Sequence, residues 1–191
     1  MESVASPVWG GNGWQRHDGA GMEQATTEGA LFGFLTAVDA PGHGLFGGYL
    51  VVDARGRPVE FLCTAPLKVT RAQQILYGAT LHGHLHGQQV GSTLLTECES
   101  RPLVVLTDFE PLLAVRSHTS LPIAAVKRPD EPGDGGFIVG DVRVVAIIDD
   151  ESLVRARLSE LAAAVDLREP FERIRLAIEE AQRMTSPARA A

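Results

Sequence analysis

Between residues 31 and 63 the chain alternates short apolar runs with turn-forming residues: "LFGFLTAV", "DAPGHG", "LFGGYLVVD", "ARGR", "PVEFLCTA". Such runs, rich in Val, Leu, Phe and Tyr and bounded by Gly, Pro and Asp, are too short for helices and fit strands. Links of a few residues join neighbouring strands only when these run antiparallel. The segment therefore specifies a three-stranded antiparallel meander. Gly33, Gly47 and Gly48 interrupt these strands. A glycine inside a strand packs no side chain, so each marks a bulge or a place where another group comes close to the backbone.

Helical signals take over after residue 63. Thr70 with Gln73 forms a capping-box pattern and Gly78 suits a C-terminal cap, which predicts a short helix over 70–77. A second helix is expected over about 80–98. "PLVVLTD" then reads as a buried strand at 102–107, "FEPLLAVR" as a helix at 109–117 and "LPIAAV" as a strand at 121–126. Strand, helix and strand in this order make one parallel βαβ unit. "KRPDEPGDGG" is a polar loop, and "FIVGDVRVVAIIDD" supplies one or two more strands. Val154, Leu158, Leu161 and Val165 form one helical stripe; Phe171, Ile174, Ile178 and Ala181 form the next, after a break near 166–169.

The expected architecture is α/β or α+β. A mixed sheet of about five to six strands, the meander plus one βαβ unit, carries packed helices and ends in a helical C-terminus. Residues 1–28 read as a flexible extension, 29–150 as the core domain, 151–185 as two C-terminal helices and 186–191 as a tail. Both tryptophans, Trp9 and Trp14, lie in the extension. A large apolar side chain there implies either folding back onto the domain or docking on a partner.

Three of the six histidines lie in "LHGHLHG" at positions 82, 84 and 86. On a strand all three would face one side and invite a divalent metal. On a helix, His82 and His86 lie roughly 40° apart while His84 lies roughly 160° from His86, so the three cannot converge on one ion. The length of chain between the strands near 63 and 102 favours helix. Ala79, Gly83, Gly87 and Gly91 then recur every four residues as a stripe of small side chains. Each glycine costs roughly 0.8–1 kcal/mol against alanine in a helix. That cost is explained if the stripe lets another backbone approach closely, so Gly83, Gly87 and Gly91 join Trp9 and Trp14 as candidate partner-binding positions.

Catalytic candidates are sparse. Cys63 ends a strand, with Glu60 three residues earlier, but a nucleophilic thiol needs a base or a positive field. Asp108 follows a buried strand, where ligands of α/β sheets gather, yet it also fits as the N-cap of the next helix. A strand ending in "TD" before a short helix resembles a pattern in metal-dependent nucleases of several α/β folds, on two residues only. The glycines of "DAPGHGLFGG" lack the Lys-Ser/Thr of a phosphate loop.

Composition bounds the function. The net charge of −7 argues against a non-specific nucleic-acid binder, so nucleic acid is an unlikely partner on sequence grounds. No membrane-spanning run and no signal peptide are visible, and two cysteines make no disulfide framework, so a cytoplasmic setting is expected. Without a catalytic constellation, the leading expectation is a non-catalytic subunit or adaptor that binds a protein partner or self-associates, with no cofactor. The alternative is a small metal- or thiol-dependent hydrolase using His82 and His86, on a divalent metal, with Cys63, Glu60 or Asp108.

Overall fold

A computed structural model describes residues 29–40, 44–132 and 135–185. The three apolar runs are strands β1 (Leu31–Ala40), β2 (Gly44–Asp53) and β3 (Pro58–Cys63), with β2 pairing antiparallel to both neighbours. Strands β4 (Val104–Thr107), β5 (Ile123–Lys127), β6 (Phe137–Val139) and β7 (Val142–Ala146) complete one mixed sheet in the order β3-β2-β1-β4-β5-β7-β6. Strand β4 runs parallel to β1 and to β5; the remaining pairs are antiparallel. The sheet thus has seven strands rather than five to six. Part of the excess lies in "FIVGDVRVVA", where Gly140 at φ +60° lets a tight turn fold the run into two paired strands.

Both faces of the sheet are covered. Phe32, Phe34, Leu50, Val52, Val104 and Leu106 pack against two C-terminal helices, α4 (Glu151–Ala162) and α5 (Glu169–Thr185), through Val154, Leu158, Leu161, Phe171, Ile174 and Ile178. The C-terminal helices are therefore part of the main core. On the opposite face Leu35, Tyr49, Val51, Val105 and Ile123 meet Val90, Leu94, Leu112 and Val115. The alternation follows from the strand period of two, which sends successive residues to opposite faces.

Helix α1 spans Arg71–Tyr77, with both reciprocal bonds of the Thr70/Gln73 capping box formed. From Leu81 to Glu97 the chain is helical, but not as one α-helix. Short α-helical pieces α2 (Leu81–Gly83) and α3 (Thr93–Glu97) flank a π-helix at His84–Ser92. The β4–β5 crossover is a 3-10 helix, Glu110–His118. These last two elements pack on each other, and glycines set the distance. A Cβ at Gly87 would lie 3.0 Å from Ala114 Cβ, and one at Gly91 would lie 2.7 Å from Val115 Cγ2 and 3.1 Å from the His86 carbonyl oxygen. Gly83 meets nothing within 4 Å. What approaches the stripe is thus the same chain, at two of its three glycines.

Adjacent glycines perform a related task on β2. A Cβ at Gly47 would overlap Val90, on the π-helix side of the sheet. One at Gly48 would overlap Ile174, on the α5 side. Two successive residues point to opposite faces, so this one dipeptide lets helices press on the strand from both sides.

Candidate functional site

Strand pairing lines up four residues across the face beneath α5. Cys63 on β3 pairs with Gly48 on β2, Gly48 pairs with Thr36 on β1, and Leu35 pairs with Thr107 on β4, which sets Asp108 beside Thr36. Phe34 lies two residues before Thr36 on the same face, and it meets Phe171 of α5 edge-to-face at 5.3 Å. Arg175 is one helical turn after Phe171, so the helix that buries Phe171 carries Arg175 over Thr36 and Asp108.

The polar contacts follow that geometry. The buried Thr36 hydroxyl donates to Asp108 Oδ1 at 2.6 Å, and the Arg175 Nη2 group donates to Asp108 Oδ2. Exposure rises along the chain of contacts, from buried Thr36 through Asp108 at 19% to Arg175 at 42%. Asp108 is not the N-cap that the sequence suggested. Phe109 occupies that position in extended conformation, with no side-chain cap bond, which leaves the Asp108 carboxylate available for Thr36 and Arg175. At the same edge Lys127, which ends β5, bonds Glu110 at 2.6 Å. From β1 the chain passes to β2 on one side, and from β4 to β5 on the other. Asp108 lies just past the carboxyl end of β4, the kind of position where ligands of open sheets gather. Beside it Thr36 sits in the middle of β1, which runs on paired with β2 to Ala40.

Cys63 does not join this group. It lies three strand spacings from Asp108, roughly 14 Å at about 4.8 Å each, and Ile174 and Ile178 press onto Gly48 between them. Burial also pushes the Cys63 thiol up, away from a nucleophilic thiolate. Glu60, three residues before Cys63 on a strand, faces the other way. There its carboxylate accepts from the backbone N–H groups of Glu99 (3.0 Å) and Ser100 (2.9 Å) and from the Cys98 thiol (3.3 Å).

Cys98 was not among the sequence candidates. Burial, the bond to Glu60 and the Glu60 charge push its thiol up to about 12. Burial alone would raise Glu60, but its bonds from the Ser100 side chain, the two N–H groups and Cys98 more than offset this and hold its carboxyl below the usual range. The Glu60 contribution to stability is therefore complete above the ordinary carboxylate range and is lost as pH falls through the lowered value. A thiol near 12 is about a thousandfold less ionised at pH 8 than one near 9. Alkylation of Cys98 by iodoacetamide, followed by mass spectrometry in the folded protein, is expected to be slow at pH 8 and to speed up in Glu60→Gln. Fast labelling of the native wild type would contradict the assignment.

His86 is buried edge-to-face against Phe109, with ring centroids 4.8 Å apart. His84 stacks on Tyr77 at 4.3 Å and contacts Gln88 and Gln89. The His82 side chain, like Trp9 and Trp14, lies outside the described residues. Among the described residues no group of three His, Cys, Asp or Glu side chains stands close enough to hold a metal ion. The described members of the hydrolase set are therefore dispersed: Glu60 with Cys98, Asp108 with Thr36 and Arg175, His86 against Phe109, and Cys63 apart from these.

No family model matches the chain, and no curated protein matches it. Two solved structures of Marinitoga piezophila Argonaute resemble it at 12% identity. The complex with 5′ OH guide RNA covers 58% of this chain and 19% of its own, at TM-score 0.29. The complex with guide RNA and target DNA covers 72% and 26%, at TM-score 0.32. The chain thus spans about a quarter or less of those proteins, and values this low assign it no activity. Two expectations are nevertheless corrected here. Nucleic acid is no longer set aside as a partner class, since net charge alone does not decide against a local contact. That both matched structures are nucleic-acid complexes says, at these TM-scores, nothing of what this chain binds. The adaptor that binds a protein partner or its own copy is withdrawn as well, since two features behind it are used inside the fold: the glycine stripe and the amphipathic C-terminus. Among the described residues no helix is long and apolar enough to cross a membrane.

Proposed function

We propose that the chain binds a small oxyanionic ligand, a carboxylate or phosphate, where β4 ends beside the middle of β1, with Arg175 as the group that contacts it. The observation that carries this reading is the shared Asp108 carboxylate. It takes one guanidinium nitrogen of Arg175 and is itself held by the buried Thr36 hydroxyl. Guanidinium has five donors in a rigid fork, so an arginine pinned through one nitrogen still presents others in a fixed direction. Charge-assisted bonds to an oxyanion are the strong use of such donors. Thr36 and Asp108 are positioning residues in this reading, and neither is asked to react.

The test is thermal unfolding with orthophosphate against chloride at matched ionic strength, beside Arg175→Ala and Thr36→Val. Phosphate strengthens burial in any protein by exclusion from its surface, so only the difference between variants reports binding. The wild type is expected to gain stability with phosphate concentration as a saturable site requires, Thr36→Val to bind several-fold more weakly, and Arg175→Ala to keep only the general salt effect. Equal phosphate responses in all three would end the proposal. A short single-stranded RNA as a second probe shows whether a phosphodiester serves as the oxyanion.

A further inference from the structure

Helix α1 lacks the source of stability that short helices need. It has seven residues and none of them is buried. Isolated helices shorter than about 12–15 residues are marginal in water, and the capping box contributes only about 1 kcal/mol. Yet its last turn presents Ile75 at 67% and Leu76 at 82% exposure, beside Tyr77 stacked on His84. Ile75 and Leu76 thus form an exposed apolar patch on a helix none of whose residues is buried.

We propose that residues Trp9–Trp14 of the same chain cover Ile75 and Leu76. Chain length permits it. The described structure starts at Gly29, beside the start of β1, whereas Leu67 bridges Leu45, whose partner Asp39 lies near the far end of that strand. Helix α1 begins four residues after Leu67, so the tail must travel the length of a ten-residue strand, about 33 Å. The stretch from Trp14 to Gly29 reaches about 50 Å when extended. Both tryptophans of the protein lie within that reach. An indole laid over Leu76 buries apolar area on both partners, and an intramolecular segment forgoes the entropy cost of a second molecule.

The full chain supplies its own reporter, because fluorescence of Trp9 and Trp14 carries no other tryptophan signal. The folded wild type is expected to emit to the blue of the urea-unfolded chain, with iodide quenching reduced roughly twofold by indole burial. In Ile75→Glu/Leu76→Glu, emission and quenching should return to the unfolded values while the circular dichroism of the sheet is retained. In Trp9→Ala/Trp14→Ala, the amides of 71–77 should exchange faster with deuterium. Unfolded-like emission in the wild type overturns the proposal, and so does a blue shift that survives the double glutamate variant. A shift that grows with protein concentration assigns the surface to the tail of a second copy and also overturns it.

Discussion

Phe171→Ala should lower the unfolding free energy by about 4 kcal/mol. The ring is buried in the main core and meets Phe34 edge-to-face, so truncation removes transfer energy and leaves a cavity between α5 and the sheet. A domain of this size holds roughly 5–15 kcal/mol in all, so the loss is a large share of the total. Urea unfolding is the measurement, and with a slope of about 2 kcal/mol/M the midpoint should fall by about 2 M. A loss below about 1 kcal/mol would be a surface value. It would mean that α5 is an appendage, as the division at residue 151 implied, and it would also remove the support under Arg175.

Local patterns were legible, and long-range juxtapositions were not. The meander followed from apolar runs with turns between them, because strand period and turn chemistry are encoded within ten residues. Thr70 and Gln73 announced α1 for the same reason. The π-helix was hidden: its apolar spacing resembles that of an α-helix, and the neighbours of Gly87 and Gly91, Ala114 and Val115, belong to a later element. The "TD" at the end of β4 drew notice to Asp108, but its partners Thr36 and Arg175 lie 72 and 67 residues away. Nothing local to residue 36 or 175 signals that pairing. It could be found only by asking which strand positions fall opposite one another once the sheet order is known. Cys98 was similarly obscured, since its carboxylate partner Glu60 is 38 residues away on β3.

Gly33, Gly47 and Gly48 were readable as sites of close approach but not as to what approaches, and Gly48 permits the most decisive test. A methyl at Gly48 would overlap Ile174 Cγ2 and lie 2.9 Å from Ile178 Cδ1, both of them side-chain atoms of α5. Gly48→Ala alone is therefore expected to cost about 2 kcal/mol by overpacking, despite removing a flexible residue from a strand. Ile174→Ala alone should cost about 3 kcal/mol, because it empties a fully buried site. Combining them removes the overlapping Cγ2, leaves the Ile174 Cβ at an ordinary 3.7 Å from the new methyl, and gives Ile178 Cδ1, the far end of a flexible side chain, the vacated space to move into. The new methyl also fills part of the cavity. The double variant should then lose about 3 kcal/mol rather than the summed 5, a coupling of about 2 kcal/mol by double-mutant cycle. Additive losses would mean that α5 moves freely off β2. In that case the row from Cys63 to Asp108, and the placing of Arg175 above Thr36, would lose the packing that fixes them.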